Sequence, residues 1–211
     1  MKKIFFYSIV FQCVFFAAHS QPPQFGIQAG INFSGASAKN ENEKFKGSPL
    51  PGLEAGAFAD VPLTGNLFFR PQAIFSYERY KPKIDPFDAN IHVFYFKIPL
   101  TVVYHSSLAD GKLSFGLGPY IGWALSGKYH RSGGGFENVS TKINFGNDEN
   151  EDDLKSLDAG VNLLACYQLK KTISAIAKFD LGITNISPGS ADIVYHTRSF
   201  SVGIGYWLEK K

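Results

Sequence analysis

The chain has 211 residues with a hydrophobic fraction of 45%, an aromatic fraction of 15% and a charged fraction of 18%, the last below the ~25% of ordinary soluble domains. The formal net charge of +3 is not gathered into a basic stripe or a nucleic-acid-reading motif, which argues against nucleic acid as a partner. No stretch after residue 20 approaches the ~20 apolar residues of a transmembrane helix, so any membrane crossing has to be made by strands.

Residues 1–20 have the layout of a cleaved signal peptide: Lys2 and Lys3, an apolar run over residues 4–18, and Ala18-His19-Ser20 before the turn-forming Gln21-Pro22-Pro23. One domain then occupies residues 21–211. Without Lys2 and Lys3 the balance is 19 bases against 18 acids, a net charge of +1. Cys13 follows Val10, Phe11 and Gln12, which lack the small residue that a lipoprotein signal sets before its cysteine. Cleavage leaves Cys166 as the sole thiol, which excludes an intramolecular disulfide and points to a packed, inert cysteine inside a strand.

The first predicted strand, residues 25–37, sets Phe25, Ile27, Ala29, Ile31 and Phe33 against Gly26, Gln28, Gly30, Asn32 and Ser34. Because side chains alternate faces along a strand, this period sorts one face apolar and the other small or polar. A polar loop follows at 38–51, then a second strand at 52–61 with Leu53, Ala55, Ala57, Ala59 and Val61 opposed to Glu54, Gly56, Phe58 and Asp60. The turn signal Pro62-Leu63-Thr64-Gly65-Asn66 leads into a third strand at 67–78, where Phe69, Phe75 and Tyr77 oppose Arg70, Gln72 and Glu78. Pro71 has no amide donor and predicts a bulge or a local break in pairing. A loop with two prolines is predicted at 79–90.

Residues 91–127 read as two long strands about a short turn at 106–112. On the first, Phe94, Phe96, Ile98, Leu100, Val102 and Tyr104 oppose Val93, Tyr95, Lys97, Pro99, Thr101 and His105; on the second, Phe115, Leu117, Ile121 and Trp123 oppose Ser114, Gly116, Gly118 and Tyr120. Each is about as long as the ~9 to 11 residues that cross a bilayer with tilt. Residues 128–156 lose the alternation, hold Gly133-Gly134-Gly135 and the acidic run 148–153, and predict a mobile loop with a small hairpin at 141–145. Strands six and seven, 157–169 and 172–185, are separated by Lys170-Lys171 and place Asp158, Cys166, Lys178 and Asp180 on the polar face. After a loop at 186–197, strand eight sets Phe200, Val202, Ile204 and Tyr206 against Ser199, Ser201, Gly203 and Trp207.

Eight alternating strands also suit a lipocalin-like soluble barrel with its apolar face inside. The polar parity here is too sparse in charge and too rich in glycine and serine to be a water-facing exterior, so the apolar parity faces lipid. Loop lengths agree: connections after strands one, three, five and seven are long and polar, those after two, four and six are short, as in outer-membrane barrels with both termini periplasmic. Aromatics gather at both strand ends, with Phe33, Tyr77, Phe94, Trp123 and Phe200 at the outer rim and Phe25, Phe69, Tyr104, Phe115, Tyr167 and Tyr206 at the periplasmic rim. The predicted fold is an all-β, eight-stranded antiparallel up-and-down transmembrane β-barrel.

The sequence resembles the small outer-membrane β-barrel domain of Bacteroidetes type, porin family or PorT-like. The likeness is carried by Phe96-Lys97-Ile98-Pro99-Leu100 before Tyr104, by Gly118-Pro119-Tyr120-Ile121-Gly122 before Ser126-Gly127-Lys128, by Asp152-Asp153-Leu154, by residues 182–186, and by Arg198-Ser199-Phe200-Ser201 before Gly205-Tyr206. It implies residence in the cell outer membrane among lipid and lipopolysaccharide, and insertion by the barrel assembly machinery. The chain departs from many such barrels in ending Leu208-Glu209-Lys210-Lys211 instead of on an aromatic residue.

Eight strands enclose about enough room for their own side chains. The inward charges Arg70, Lys97 and Lys178 therefore have to be matched by Glu54, Asp60, Glu78, Asp158 and Asp180, and they predict a structural polar plug. No catalytic, cofactor or metal set is expected: His92, His105, His130 and His196 have no metal-ligand spacing, and the triple glycine lacks a phosphate-loop lysine. His105, Ser106, Ser107 and Asp110 read as a polar periplasmic turn, and the acidic run 148–153 lacks the glycine of a Ca²⁺ loop. The predicted role is structural, adhesive or accessory in the cell envelope, with loops 38–51 and 128–156 as the surface for a partner. The rival readings are a small-solute channel and a lipid-modifying barrel enzyme.

Overall fold

The computed structural model describes residues 22–39, 44–81, 83–84, 87–108, 110–132, 139–148, 151–169, 172–188 and 194–208. The expected signal peptide at 1–20, the Lys170-Lys171 turn and the triple glycine lie outside these residues, as do parts of loop 38–51 and of the acidic run. Eight long strands make the ring: β1 (Gln24–Lys39), β2 (Ser48–Thr64), β3 (Leu67–Lys81), β4 (Phe87–Leu108), β5 (Gly111–Ser132), β6 (Leu157–Gln168), β7 (Ile173–Gly182) and β8 (Val194–Trp207). Each pairs antiparallel with its neighbours in sequence, and β1 pairs with β8 from Gly26 opposite Trp207 to Lys39 opposite Val194, which closes the barrel. Short strands Lys44–Lys46, Lys83–Ile84 and Val139–Lys142 pair with β1, β4 and β5 respectively.

The period-2 pattern decides which face is buried. Phe25, Ile27, Ile31, Leu53, Phe75, Leu117, Leu163, Val202 and Ile204 are exposed on the outer face, whereas Asn32, Asp60, Arg70, Lys97, Thr101, Asn162 and Ser174 are buried inside. A soluble domain inverts this distribution; a hydrocarbon solvent requires it, because polar side chains find no partners in lipid, and the closed ring lets neighbouring strands pair each other's backbone polar groups. The rim aromatics meet across strands: Phe33 lies opposite Phe200, Tyr77 opposite Phe94, and the rings of Phe96 and Trp123 stack at 6.3 Å.

Turn chemistry sets the β2–β3 connection. Gly65 has φ of 53°, a left-handed conformation that glycine adopts without a Cβ penalty, and the Asn66 carbonyl next to it accepts from the His105 amide at 2.9 Å. Inside, Gly26 makes room for Phe58, whose ring a Cβ at that position would overlap. Around Pro71 the ladder skips pairs without shifting: Phe58 opposite Gln72 and Val61 opposite Phe69 keep one register. The proline thus interrupts hydrogen bonding, and the register shifts fall instead between Leu50 and Leu53 and between Pro62 and Thr64.

Two expectations are corrected at the outer end. β3 runs on to Lys81 and β4 begins at Phe87, so most of the loop expected at 79–90 is strand. β5 continues to Ser132, and Val139–Lys142 folds back against it, with Lys128 opposite Lys142 and Arg131 opposite Val139. Much of the region expected to be a mobile loop is therefore ordered. A bulge hid this strand in the sequence pattern: Phe94 pairs with Ser126 but Tyr95 with Ala124, so Leu125 is an extra residue and the faces swap beyond it. After the swap, Gly127 faces inward and Ile143 and Leu154 are buried against Val93, Tyr95 and Ile186.

Candidate functional site

The barrel interior is the region where chemistry-bearing side chains converge. At the periplasmic end, Asp60 of β2 and Arg70 of β3 face each other across the Gly65 turn. Arg70 Nε donates to Asp60 Oδ1 at 2.5 Å and Nη2 donates to Oδ2 at 2.7 Å, a bidentate pair with neither side chain more than 1% exposed. The guanidinium lies over the Phe58 and Trp207 rings at 4.8 and 5.3 Å. His105 joins this group: its Nε2 is 3.1 Å from Asp60 Oδ2 and its Nδ1 is 2.6 Å from Ser114 Oγ. The sequence reading set His105 on the inward parity but grouped it with Ser106, Ser107 and Asp110 as a polar periplasmic turn; the strand continues to Leu108, which puts its imidazole inside. Arg70 Nη1 and Trp207 Nε1 are buried donors without a protein acceptor.

The outer half is arranged differently. Lys97 of β4 pairs with Glu78 of β3 and reaches Asp180 Oδ2 of β7 at 3.2 Å, between the Tyr95 and Tyr120 rings. Asp180 also accepts from Asn162 Nδ2 at 2.6 Å, and Thr101 Oγ1 donates to Asn162 Oδ1 at 3.1 Å. On the other side of Glu78, Ser76 Oγ donates to its carboxylate at 3.2 Å and Asn32 Nδ2 donates to Ser76 Oγ at 3.1 Å. The network therefore ties β1, β3, β4, β6 and β7 through side chains. Lys178 of β7 pairs separately with Glu54 of β2 at 2.5 Å, and Ser201 Oγ of β8 donates to the same carboxylate at 2.9 Å.

Asp158 departs from the predicted matching of acids with bases. It pairs with no cation among the described residues and is held by hydroxyls: Thr197 Oγ1 at 2.6 Å, Tyr120 OH at 3.0 Å and Thr184 Oγ1 at 3.0 Å. A buried carboxylate with three donors is satisfied without a counter-ion. The structure thus brings Glu54, Asp60, Arg70, Glu78, Lys97, Lys178 and Asp180 into pairs, and sets Asp158 apart. The uncharged bridging residues Asn32, Thr101 and Asn162 were not singled out by the sequence reading, although inward parity within a polar face was a signal for each.

Above this network, at the outer end, lies the apolar cluster of Val93, Tyr95, Ile143, Leu154 and Ile186. The loop that supplies Ile143 and Leu154 is held by its own acids: Asp153 Oδ2 accepts from the Asn144 amide at 2.8 Å and Asp152 Oδ2 from the Asp148 amide at 2.9 Å. These carboxylates of the acidic run are spent on loop backbone. No metal-binding cluster occurs among the described residues.

Residues 19–187 match the family model described as the outer membrane protein beta-barrel domain. Among solved structures, the chain is similar to OprG of Pseudomonas aeruginosa at 12% identity, covering 90% of this chain and 98% of that one with a TM-score of 0.48. It is also similar to the attachment invasion locus protein Ail of Yersinia pestis at 12% identity, 89% and 100% coverage and a TM-score of 0.45. Neisserial surface protein A matches at 14% identity, 88% and 99% coverage and a TM-score of 0.43. These likenesses are too distant to carry a function across. No curated protein matches the sequence.

Proposed function

Because the chain belongs to the outer membrane protein beta-barrel domain family, we propose that it is a plugged, non-catalytic barrel with a structural, adhesive or accessory role in the cell envelope. The carrying observation is the interior: Arg70, Tyr95, Lys97 and Tyr120 are each at most 3% exposed, and each ring or cation sits against an ionic or aromatic partner. An eight-stranded ring has little space beyond its own side chains, and here that space is crossed by hydrogen bonds from one wall to another. The apolar cluster at the outer mouth supports the same reading.

The channel reading requires a continuous polar path, and the shared Lys97 and the mouth cluster obstruct one. The enzyme reading has one geometric pointer, the Ser114–His105–Asp60 relay, which resembles a nucleophile, base and orienting acid. Against it, Ser114 is 2% exposed inside the barrel and both Asp60 oxygens are engaged by Arg70. The relay fits a structural cluster better than a hydrolase.

The finer assignment to the Bacteroidetes-type, PorT-like barrels rests on the sequence motifs around Lys97, Tyr120 and Phe200. Removal of residues 1–20, folding by the barrel assembly machinery and a surface partner at loops 38–51 and 128–156 belong to the same proposal. Planar-bilayer recording of the refolded barrel tests the plug: the expected record has no steady large conductance, and a stable open pore overturns the reading.

A further inference from the structure

On the outer face, just beyond the rim aromatics, the register lines up basic side chains across four strands. Arg79 of β3 lies opposite His92 of β4, His92 opposite Lys128 of β5, and Lys128 opposite Lys142 of the short strand Val139–Lys142. The alternate positions on those strands, Tyr80, Val93, Gly127 and Ile143, are buried inside, so the basic row points away from the barrel. Lys128 and Lys142 are exposed, and none of the four pairs with a carboxylate among the described residues.

Like charges directly opposite one another on neighbouring strands destabilise a sheet. Lys128 opposite Lys142 is such a contact, and His92, kept neutral by partial burial and by Arg79 and His130 beside it, lies between Arg79 and Lys128 without offsetting their charge. The Arg79 guanidinium is held by one backbone contact, Nη1 to the Pro51 carbonyl at 3.4 Å, and its Nε is buried without a partner. An anion lying along the row removes the repulsion and supplies the missing acceptors.

Depth identifies the anion. Two residues closer to the membrane on the same face lies the aromatic row, with Tyr77 opposite Phe94, and Tyr77 OH is 2.5 Å from His92 Nδ1. Two residues along a strand rise about 7 Å, less after tilt, and the headgroup layer on each side of the hydrocarbon is about 5 to 7 Å thick. Aromatic belts mark the hydrocarbon boundary, so the basic row sits at the level of lipid phosphates on the side of the long loops. We propose that Arg79, His92, Lys128 and Lys142 form a docking site for the phosphorylated headgroup of the outer-leaflet glycolipid. The inference relies on insertion in the outer membrane and is independent of the plug.

The test is thermal unfolding of the refolded barrel in phosphatidylcholine vesicles, alone or doped with bisphosphorylated lipid A or with its dephosphorylated form. The wild type is compared with the triple variant Arg79→Gln, Lys128→Gln, Lys142→Gln. In phosphatidylcholine alone the variant should melt at the same temperature as wild type or higher, since self-repulsion is removed. Phosphorylated lipid A should raise the melting temperature of the wild type saturably, the dephosphorylated form should not, and the variant should lose most of the rise. Equal stabilisation of both proteins overturns the proposal, as does indifference to the phosphates. A variant that melts early in neutral lipid makes the row structural and also overturns it. Dextran sulfate added to neutral vesicles separates a soluble polyanion from a lipid: stabilisation equal to that by lipid A contradicts the lipid assignment. A pore in the plug experiment leaves all of these outcomes readable.

Discussion

The two halves of the barrel interior solve the same problem with different stoichiometry. At the periplasmic end one acid meets one base in a bidentate pair between aromatic rings, with His105 as an auxiliary neighbour. In the outer half one lysine serves Glu78 and Asp180, while Asp158 is satisfied by hydroxyls alone. The difference teaches that a filled interior does not require equal numbers of acids and bases, provided that neutral donors take up the remainder. It also predicts unequal tolerance to substitution.

The largest loss is expected where one cation holds two acids. Lys97→Ala leaves Glu78 and Asp180 buried and uncompensated, and breaking a buried pair costs about 3–5 kcal/mol for a single orphaned partner. The variant should lose at least that much in urea unfolding from lipid vesicles. Arg70→Met orphans only Asp60, beside which His105 remains, so its loss should be smaller than that of Lys97→Ala. Adding Asp60→Leu to Arg70→Met should recover most of the stability, because both charges then leave together. A double variant as unstable as Arg70→Met alone contradicts a simple one-to-one pair.

A third comparison sets the faces against each other. Leu100→Arg, on the lipid face, should cost about 2–4 kcal/mol if it lies near the bilayer midplane. Ser174→Arg, on the inner face, crowds the interior without that lipid penalty; equal costs in a depth-matched series contradict the assignment of faces. The smallest effect is expected at Asp158. Thr197→Val removes one of three donors from its carboxylate, for about 1–3 kcal/mol. A loss as large as that for Lys97→Ala means that Asp158 depends on one hydroxyl far more than the geometry implies.

The strands and their faces were legible because period 2 survives wherever one face meets lipid. Phe25 through Phe33 and Phe94 through Tyr104 display it, and the ring closes with the exposure they imply. The strand extension past Gly127 was hidden by Leu125, a single bulged residue that reverses parity and makes an ordered strand read as aperiodic. Isolated apolar residues in polar surroundings, such as Ile143, Leu154 and Ile186, gave no periodic signal of their burial in the outer mouth. For the interior, parity named the charged residues but could not pair them. Asp60 and Arg70 are related by one turn, whereas Lys97 and Asp180 are 83 residues apart and meet only because the barrel closes. His105 was misread because its neighbours Ser106 and Ser107 look like turn residues, although its parity already pointed inward.

The most direct test of mutual neutralisation is a mutant cycle on the shared lysine, read by urea unfolding in vesicles. It compares wild type, Lys97→Ala, the pair Glu78→Gln with Asp180→Asn, and all three changes together. Groups that hold one another give non-additive losses. The account predicts that the triple variant is clearly more stable than Lys97→Ala, since neutral amides replace orphaned carboxylates. Losses that simply add, with the triple variant the least stable of the set, contradict it.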